Sequence, residues 1–251
     1  MDAATRTRIL DAAASVFAAR GFAGTGIRAI SSRARVNLAA VSYHFGGKEP
    51  LYRETLRYVR ARAYRRYPVT LGLPADAPPE VRLQAFVRSF LLRTSGDDEG
   101  REFGALVMRE MVEPTSGLDQ MIEESMRPLF EQLVGIVGDL LGAGGGPGLA
   151  RACARGVISQ CLFHLFCRSL AGRGSRAGAD TAESRERAAA QILHFSLCAV
   201  REASRGGAPA RQAAKARPRG AAPDRRSPAA RQAGRRSGRE RGRAAGGKGA
   251  G

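Results

Sequence analysis

The chain has 251 residues, 43% of them apolar, and a formal net charge of +18. That is enough for one large or two modest globular domains, and so large an excess of cations points to a polyanionic partner such as nucleic acid or an anionic membrane surface. No apolar run reaches the roughly 18 residues of a membrane span, and Arg6, Arg8 and Asp11 interrupt any signal-peptide core, so a cytoplasmic protein is expected.

Helical periodicity dominates from the start. In TRTRILDAAASVFAAR, residues Ile9, Leu10, Ala13, Val16 and Phe17 recur on one helical face and Gly21 follows as a stop, which predicts a helix of about four turns. Thr25 is placed to cap a second helix through Ala34, and Asn37 to cap a third through about His44. Two short helices across Arg35-Val36-Asn37 make a helix-turn-helix. Glu49-Pro50 suits the first turn of a fourth helix running to about Tyr67, where Pro68 ends it.

TLGLPADAPP reads as a linker. Helices are then predicted near 79–95, 101–112 and 116–141, with a break at SGDDEG, and two more in LARACARGVISQCLFHLFCRSL and ESRERAAAQILHFSLCAVREA. No strand pattern competes, so the fold class is all-α. The predicted division is a helix-turn-helix unit over 1–47, a larger helical unit over 48–204, which the resemblance given below implies to be the effector-binding and dimerisation unit, and a tail over 205–251. Charge follows that division: residues 1–60 hold ten Lys/Arg against four Asp/Glu, residues 61–204 hold seventeen of each, and residues 205–251 hold fourteen against two. The tail lacks large apolar residues, which predicts disorder and sequence-independent electrostatic attraction to DNA.

In a helix-turn-helix the second helix enters the major groove. Ile30, Ala34, Val41 and Phe45 are spaced to pack on Ile9, Ala13 and Phe17, which turns Asn37, Leu38, Ala39, Ala40, Ser42 and Tyr43 outward or partly so. Small Ala39 and Ala40 allow close approach to base edges, and Leu38 is suited to a thymine methyl group. Tyr43, His44 and Lys48 sit where phosphates would pass, and Thr25 and Arg28 complete the candidate DNA-binding set.

These residues carry a resemblance. ILDAAASVFAARGF, TGIRAISSRARV and VSYHFGGKEPLY occur in the order and spacing of the DNA-binding domain of the TetR family of bacterial regulators, and residues 101–141 with HFSLCAVREA resemble its CecR-like branch. The resemblance implies a ligand-responsive regulator of transcription, a repressor, associated with the bacterial nucleoid. It implies a homodimer built from the last two helices and a near-palindromic double-stranded DNA operator. It also implies release of that operator by a small, partly apolar effector, with no further cofactor. Arg35 stands where many relatives have Gly, a change of small cost if the turn is not left-handed, and Gly47 is a weaker cap than the common Ser.

The effector-pocket candidates are Met108, Glu110, Met111, Phe130, Leu133, Cys161, Phe163, His164 and Phe166, each of which is equally compatible with ordinary core. Glu110 interrupts an apolar face, as an effector anchor or a surface salt-bridge partner would. Cys161-x2-His164-x2-Cys167 spreads its side chains over about 120° of a helix, which is unsuited to one metal ion; with Cys153 and Cys198 these cysteines suit reduced packing positions. His44 has no nucleophile or carboxylate placed beside it, and no Gly-rich phosphate loop or nucleophile elbow occurs, so no catalytic site is expected. The alternative is an architectural nucleic-acid binder without an effector, for which the basic tail is the main argument.

Overall fold

A computed structural model describes residues 3–171 and 181–205. The tail from 206 onward, which carries an expectation above, and residues 172–180 lie outside the described residues. All the regular structure among the described residues is helical, with no strand among them. The helices are α1 (Ala3–Arg20), α2 (Ile27–Ala34), α3 (Leu38–Phe45), α4 (Lys48–Arg66), α5 (Pro79–Ser95), α6 (Asp98–Val112), α7 (Ser116–Met121), α8 (Arg127–Leu141), α9 (Pro147–Ala171) and α10 (Ala182–Ser204). A single π turn, Ile122–Met126, joins α7 to α8, so the long helix expected over 116–141 is one rod with a wider turn inside it.

α6 begins three residues before its expected start. Asp97 accepts a hydrogen bond from the Gly100 amide at 2.8 Å, and Asp98 and Glu99 place negative charge at the positive end of the helix dipole. The acidic run therefore starts the helix. Gly104 sets how closely α6 lies on α5, because a Cβ there would come within 2.2 Å of the Thr94 carbonyl oxygen.

Two apolar clusters form the core. One joins Ile9, Ala13 and Phe17 of α1 to Ile30, Val41, Phe45, Leu51 and Tyr52, and extends to Phe103, Leu106 and Val107 of α6. The other packs Leu83, Phe86 and Leu91 of α5 against Leu133 and Val137 of α8, Val157 and Cys161 of α9, and Ile192 and Val200 of α10. α6 thus shares a core with the helix-turn-helix.

α4 is the element common to both halves. Leu51, Tyr52, Leu56 and Val59 are buried near its start, and Tyr64 near its end packs edge-on against Phe103 of α6. Polar contacts from three of its side chains brace it. The Tyr52 hydroxyl donates to Glu110 of α6 at 2.6 Å, Arg62 pairs with Asp11 of α1 and Glu99 of α6, and Arg60 donates to the Glu124 carbonyl and, at 3.0 Å, to the Ser125 hydroxyl of the π turn. Arg109 of α6 donates to the Ala18 and Ala19 carbonyls at 2.9 and 2.6 Å, satisfying acceptors that α1 leaves open at its end.

Candidate nucleic-acid interface and effector cavity

α3 is built by local chemistry. The Asn37 side chain accepts from the Ala39 amide at 3.0 Å, and Gly46 closes the helix in the left-handed conformation with φ 75°. Val41 and Phe45 are buried, while Arg28, Asn37, Leu38, Ala39, Ser42 and Tyr43 are exposed or partly so; Ala40, His44 and Lys48 are partly exposed. At 78% exposure Tyr43 is a large aromatic ring that the fold leaves uncovered. Lys48, at the start of α4, lies with its ammonium 4.5 Å from the centre of the Phe22 ring.

Three expectations change here. Thr25 is buried, its hydroxyl donates to the Gly21 carbonyl at 2.6 Å, and Gly26 rather than Thr25 precedes α2, so Thr25 neither caps that helix nor faces outward. Arg35 adopts φ 54°, ψ 48°, so the turn is left-handed and carries the strain expected of a residue with a Cβ. Gly47 has φ 147°, a conformation open in practice only to glycine, which gives it a role beyond capping.

A cavity of about 360 Å³ lies between α4, α5, α6, α7, the π turn, α8 and α9. Its wall is almost wholly apolar, made by Tyr64, Phe90, Phe103, Val107, Met126, Phe130, Ile158 and Leu162 among others. Of the candidates read from the sequence only Phe130 lines it. Met108, Leu133 and Cys161 are sealed in the two cores, and Met111, Phe163 and Phe166 are exposed. His164 is half-buried on α9 away from the cavity. The cause is rotational phase: on α9, Arg155, Ile158 and Leu162 face the cavity, Ala154, Val157 and Cys161 face the core, and Phe163 and Phe166 face out.

Glu110 does not line this cavity and is not at the surface, where an ion-pair partner would be. It is fully buried and accepts from the Tyr52 hydroxyl, the Thr115 amide at 3.1 Å and the Thr115 hydroxyl at 2.9 Å, so the start of α7, α6 and α4 meet at one carboxylate. Burial, reinforced by the Glu110 contact, pushes the Tyr52 hydroxyl well above the usual tyrosine range. Cys161 sits in apolar surroundings that push its thiol up to about 12, while Cys167 is exposed.

Arg93 is missing from the candidates and is the most unusual residue of the wall. It is 1% exposed, lies with its guanidinium 4.3 Å from the centre of the Tyr64 ring, and donates to the Ser89 hydroxyl at 2.6 Å and the Tyr67 carbonyl at 3.3 Å. The sequence signal was available. Arg93 follows Phe86 by seven residues and Phe90 by three, placing a charge on the apolar stripe of α5.

The comparisons with known proteins agree with this architecture. Residues 9–55 match the family model for bacterial regulatory proteins of the tetR family, and residues 79–200 match the C-terminal domain of the HTH-type transcriptional dual regulator CecR. The HTH-type transcriptional repressor NicS of Pseudomonas putida is 31% identical over 165 residues, which cover 64% of this chain and 70% of NicS. A linker-substituted mutant of HlyIIR is 25% identical in sequence, with a TM-score of 0.52 over 75% of this chain and 93% of that one. A transcriptional regulator from Pseudomonas aeruginosa, 18% identical, has the same fold, with a TM-score of 0.60 over 80% of this chain and 92% of that one. With a helix-turn-helix core, an uncovered third helix and a relative of this identity and coverage, the chain belongs to the TetR family of DNA-binding transcriptional regulators.

Proposed function

We propose that the protein is a repressor that binds a near-palindromic operator as a homodimer and leaves it when a small, partly apolar effector fills the cavity. In this reading residues 1–47 bind DNA and residues 48–204 bind effector and partner. Asn37, Leu38, Ala39, Ala40, Ser42 and Tyr43 meet the major groove, and Arg28, His44 and Lys48 meet phosphates. Exposed Phe163 and Phe166 on α9 and Phe195 on α10 support a dimer face on the last two helices, since three uncovered phenylalanines on neighbouring elements favour burial against a second copy.

The observation that carries the reading is the apolar cavity with α4 in its wall. Tyr64 of α4 lines it, Ser125 lines it and accepts from Arg60 of α4, and the other end of α4 begins at the helix-turn-helix. A ligand that moves the π turn or Tyr64 moves α4, and with it the separation of the two third helices in the dimer. A coupling of about 1–3 kcal/mol, or roughly 5- to 150-fold in operator affinity, is typical of such a link.

The test uses an operator selected from random DNA and compounds that release it. Leu162→Trp fills the cavity from its α9 wall. It is expected to keep operator binding and to lose release. Release of the filled variant at the same concentrations as wild type would sink the reading.

A further inference from the structure

The cavity is apolar, yet among the described residues both charged groups in its wall are arginines, Arg93 and Arg155, and no carboxylate lines it. Arg155 is on the solvent-exposed side, whereas Arg93 is buried. Arg93 has five N–H donors in a planar fork. Its Nη1 has the Ser89 hydroxyl and the Tyr67 carbonyl, but its Nη2 is buried without a hydrogen-bond partner among the described residues. None of its described polar or ring partners is a carboxylate; they are Ser89, Tyr67 and Tyr64. Burial pulls the guanidinium below its ordinary value, and the groups opposing that pull are Tyr64 and Cys161.

A buried cation without a counter-ion is a costly arrangement, because no pairing within the described chain offsets its desolvation. An apolar side chain of the same length would fill the position without that cost. From this geometry we infer that the effector is a small organic monoanion, a carboxylate on an apolar body, whose headgroup pairs with Arg93 while its body fills the rest of the cavity. This rests on the reading of the cavity as the effector site and adds the chemical class. A single carboxylate matches the free edge of one guanidinium, which it can bind in a bidentate manner. The roughly 360 Å³ is within the range of pockets that enclose small organic ligands.

The position of Arg93 also supplies a path to α4. Its guanidinium stacks on Tyr64 and donates to the carbonyl of Tyr67, the residue that ends α4. An anion drawing the fork toward the cavity competes with the Tyr67 carbonyl, and so acts on the end of the helix that begins at the DNA-binding unit.

The experiment measures direct binding to the full-length protein without DNA, by calorimetry, using matched pairs of probes: 4-phenylbutyrate with 4-phenylbutanol, and decanoate with decanol. Wild type is expected to bind at least one acid at one per chain and at least tenfold more tightly than its alcohol. Arg93→Met, which keeps the length of the side chain, is expected to remain folded by circular dichroism and to lose that preference. Arg93→Lys, a second variant that keeps the charge, is expected to retain part of it. Leu162→Trp is expected to block acid and alcohol alike, which ties the binding to the cavity.

Equal affinity for acid and alcohol, an acid preference that survives Arg93→Met, or no binding of either acid would overturn the inference. Release of the selected operator by the same probes separates the two claims. Alcohols that release DNA as well as acids leave the cavity as the effector site and remove the anion. Acids that bind through Arg93 without releasing DNA leave the anion site and remove the regulatory reading.

Discussion

Tyr52→Phe removes one oxygen from the junction of α4, α6 and α7. The hydroxyl lies 2.6 Å from Glu110, and both residues are buried, at 1% and 0% exposure. A hydrogen bond to a charged acceptor contributes about 1.5–3 kcal/mol, and here water has no access to replace it. Glu110 keeps two donors from Thr115, so the loss stays near the lower half of that range, about 2 kcal/mol. For a chain of this size that corresponds to a fall of roughly 4–8 °C in melting temperature.

The pH dependence gives an independent check with a definite sign. Tyr52 is held above the usual tyrosine range in the folded state, so above pH ~10 the unfolded chain releases a proton that the folded chain keeps. The Tyr52 contribution to stability is therefore complete below pH ~10 and is lost as pH rises, at about 1.4 kcal/mol per unit. Urea denaturation of wild type and Tyr52→Phe at pH 8, 10 and 11 measures both effects. The variant starts less stable at pH 8, and the difference narrows on going to pH 11. A variant within about 0.5 kcal/mol of wild type at pH 8, below the range of a charged hydrogen bond, with a gap that does not change with pH, refutes the reasoning.

Arg35→Gly relieves left-handed strain of about 1–2 kcal/mol but adds freedom to the unfolded chain, for a net stabilisation of about 0.5–1 kcal/mol in urea denaturation. Gly104→Ala drives a methyl group into the Thr94 carbonyl and must part α5 from α6, at a cost of about 2–3 kcal/mol read from the same assay. Phe166→Asp, alone or with Phe163→Asp, puts charge on the proposed dimer face, and light scattering is expected to show the mass falling from two chains to one. Deletion of 205–251 removes fourteen basic residues, and binding to operator and to random DNA is expected to weaken by the same factor. The slope of log affinity against log salt is then expected to become shallower by about 0.9 for each phosphate that the tail neutralises in the full-length protein.

The helix-turn-helix was legible in the sequence because its signals are local. Asn37 caps its own helix two residues on, and Val41 and Phe45 repeat at a helical interval that already specifies which face of α3 is covered. Thr25 departs from its expected role because the same local logic allows a hydroxyl to bond backward as well as forward; the Gly21 carbonyl won over the amides ahead. The cavity was hardly legible, because its wall is drawn from seven elements whose rotation about their own axes is set by tertiary packing. Phe130 and Leu133 are three residues apart on one helix, yet one lines the cavity and the other is sealed in the core. Glu110 and Arg93 were both visible as charges on apolar stripes, but only the folded chain distinguishes a carboxylate with three donors from a guanidinium with a donor to spare.

At the root of the proposed function is sequence-specific DNA binding by a dimer. Its most direct test is selection of bound DNA from a random pool by the full-length protein at physiological salt, followed by sequencing. An enriched inverted repeat whose half-sites lie on successive major grooves is expected, and so is disappearance of that enrichment in Tyr43→Ala combined with Asn37→Ala. Tight, salt-sensitive binding with no enriched sequence would contradict it and would assign the protein's affinity for DNA to charge alone.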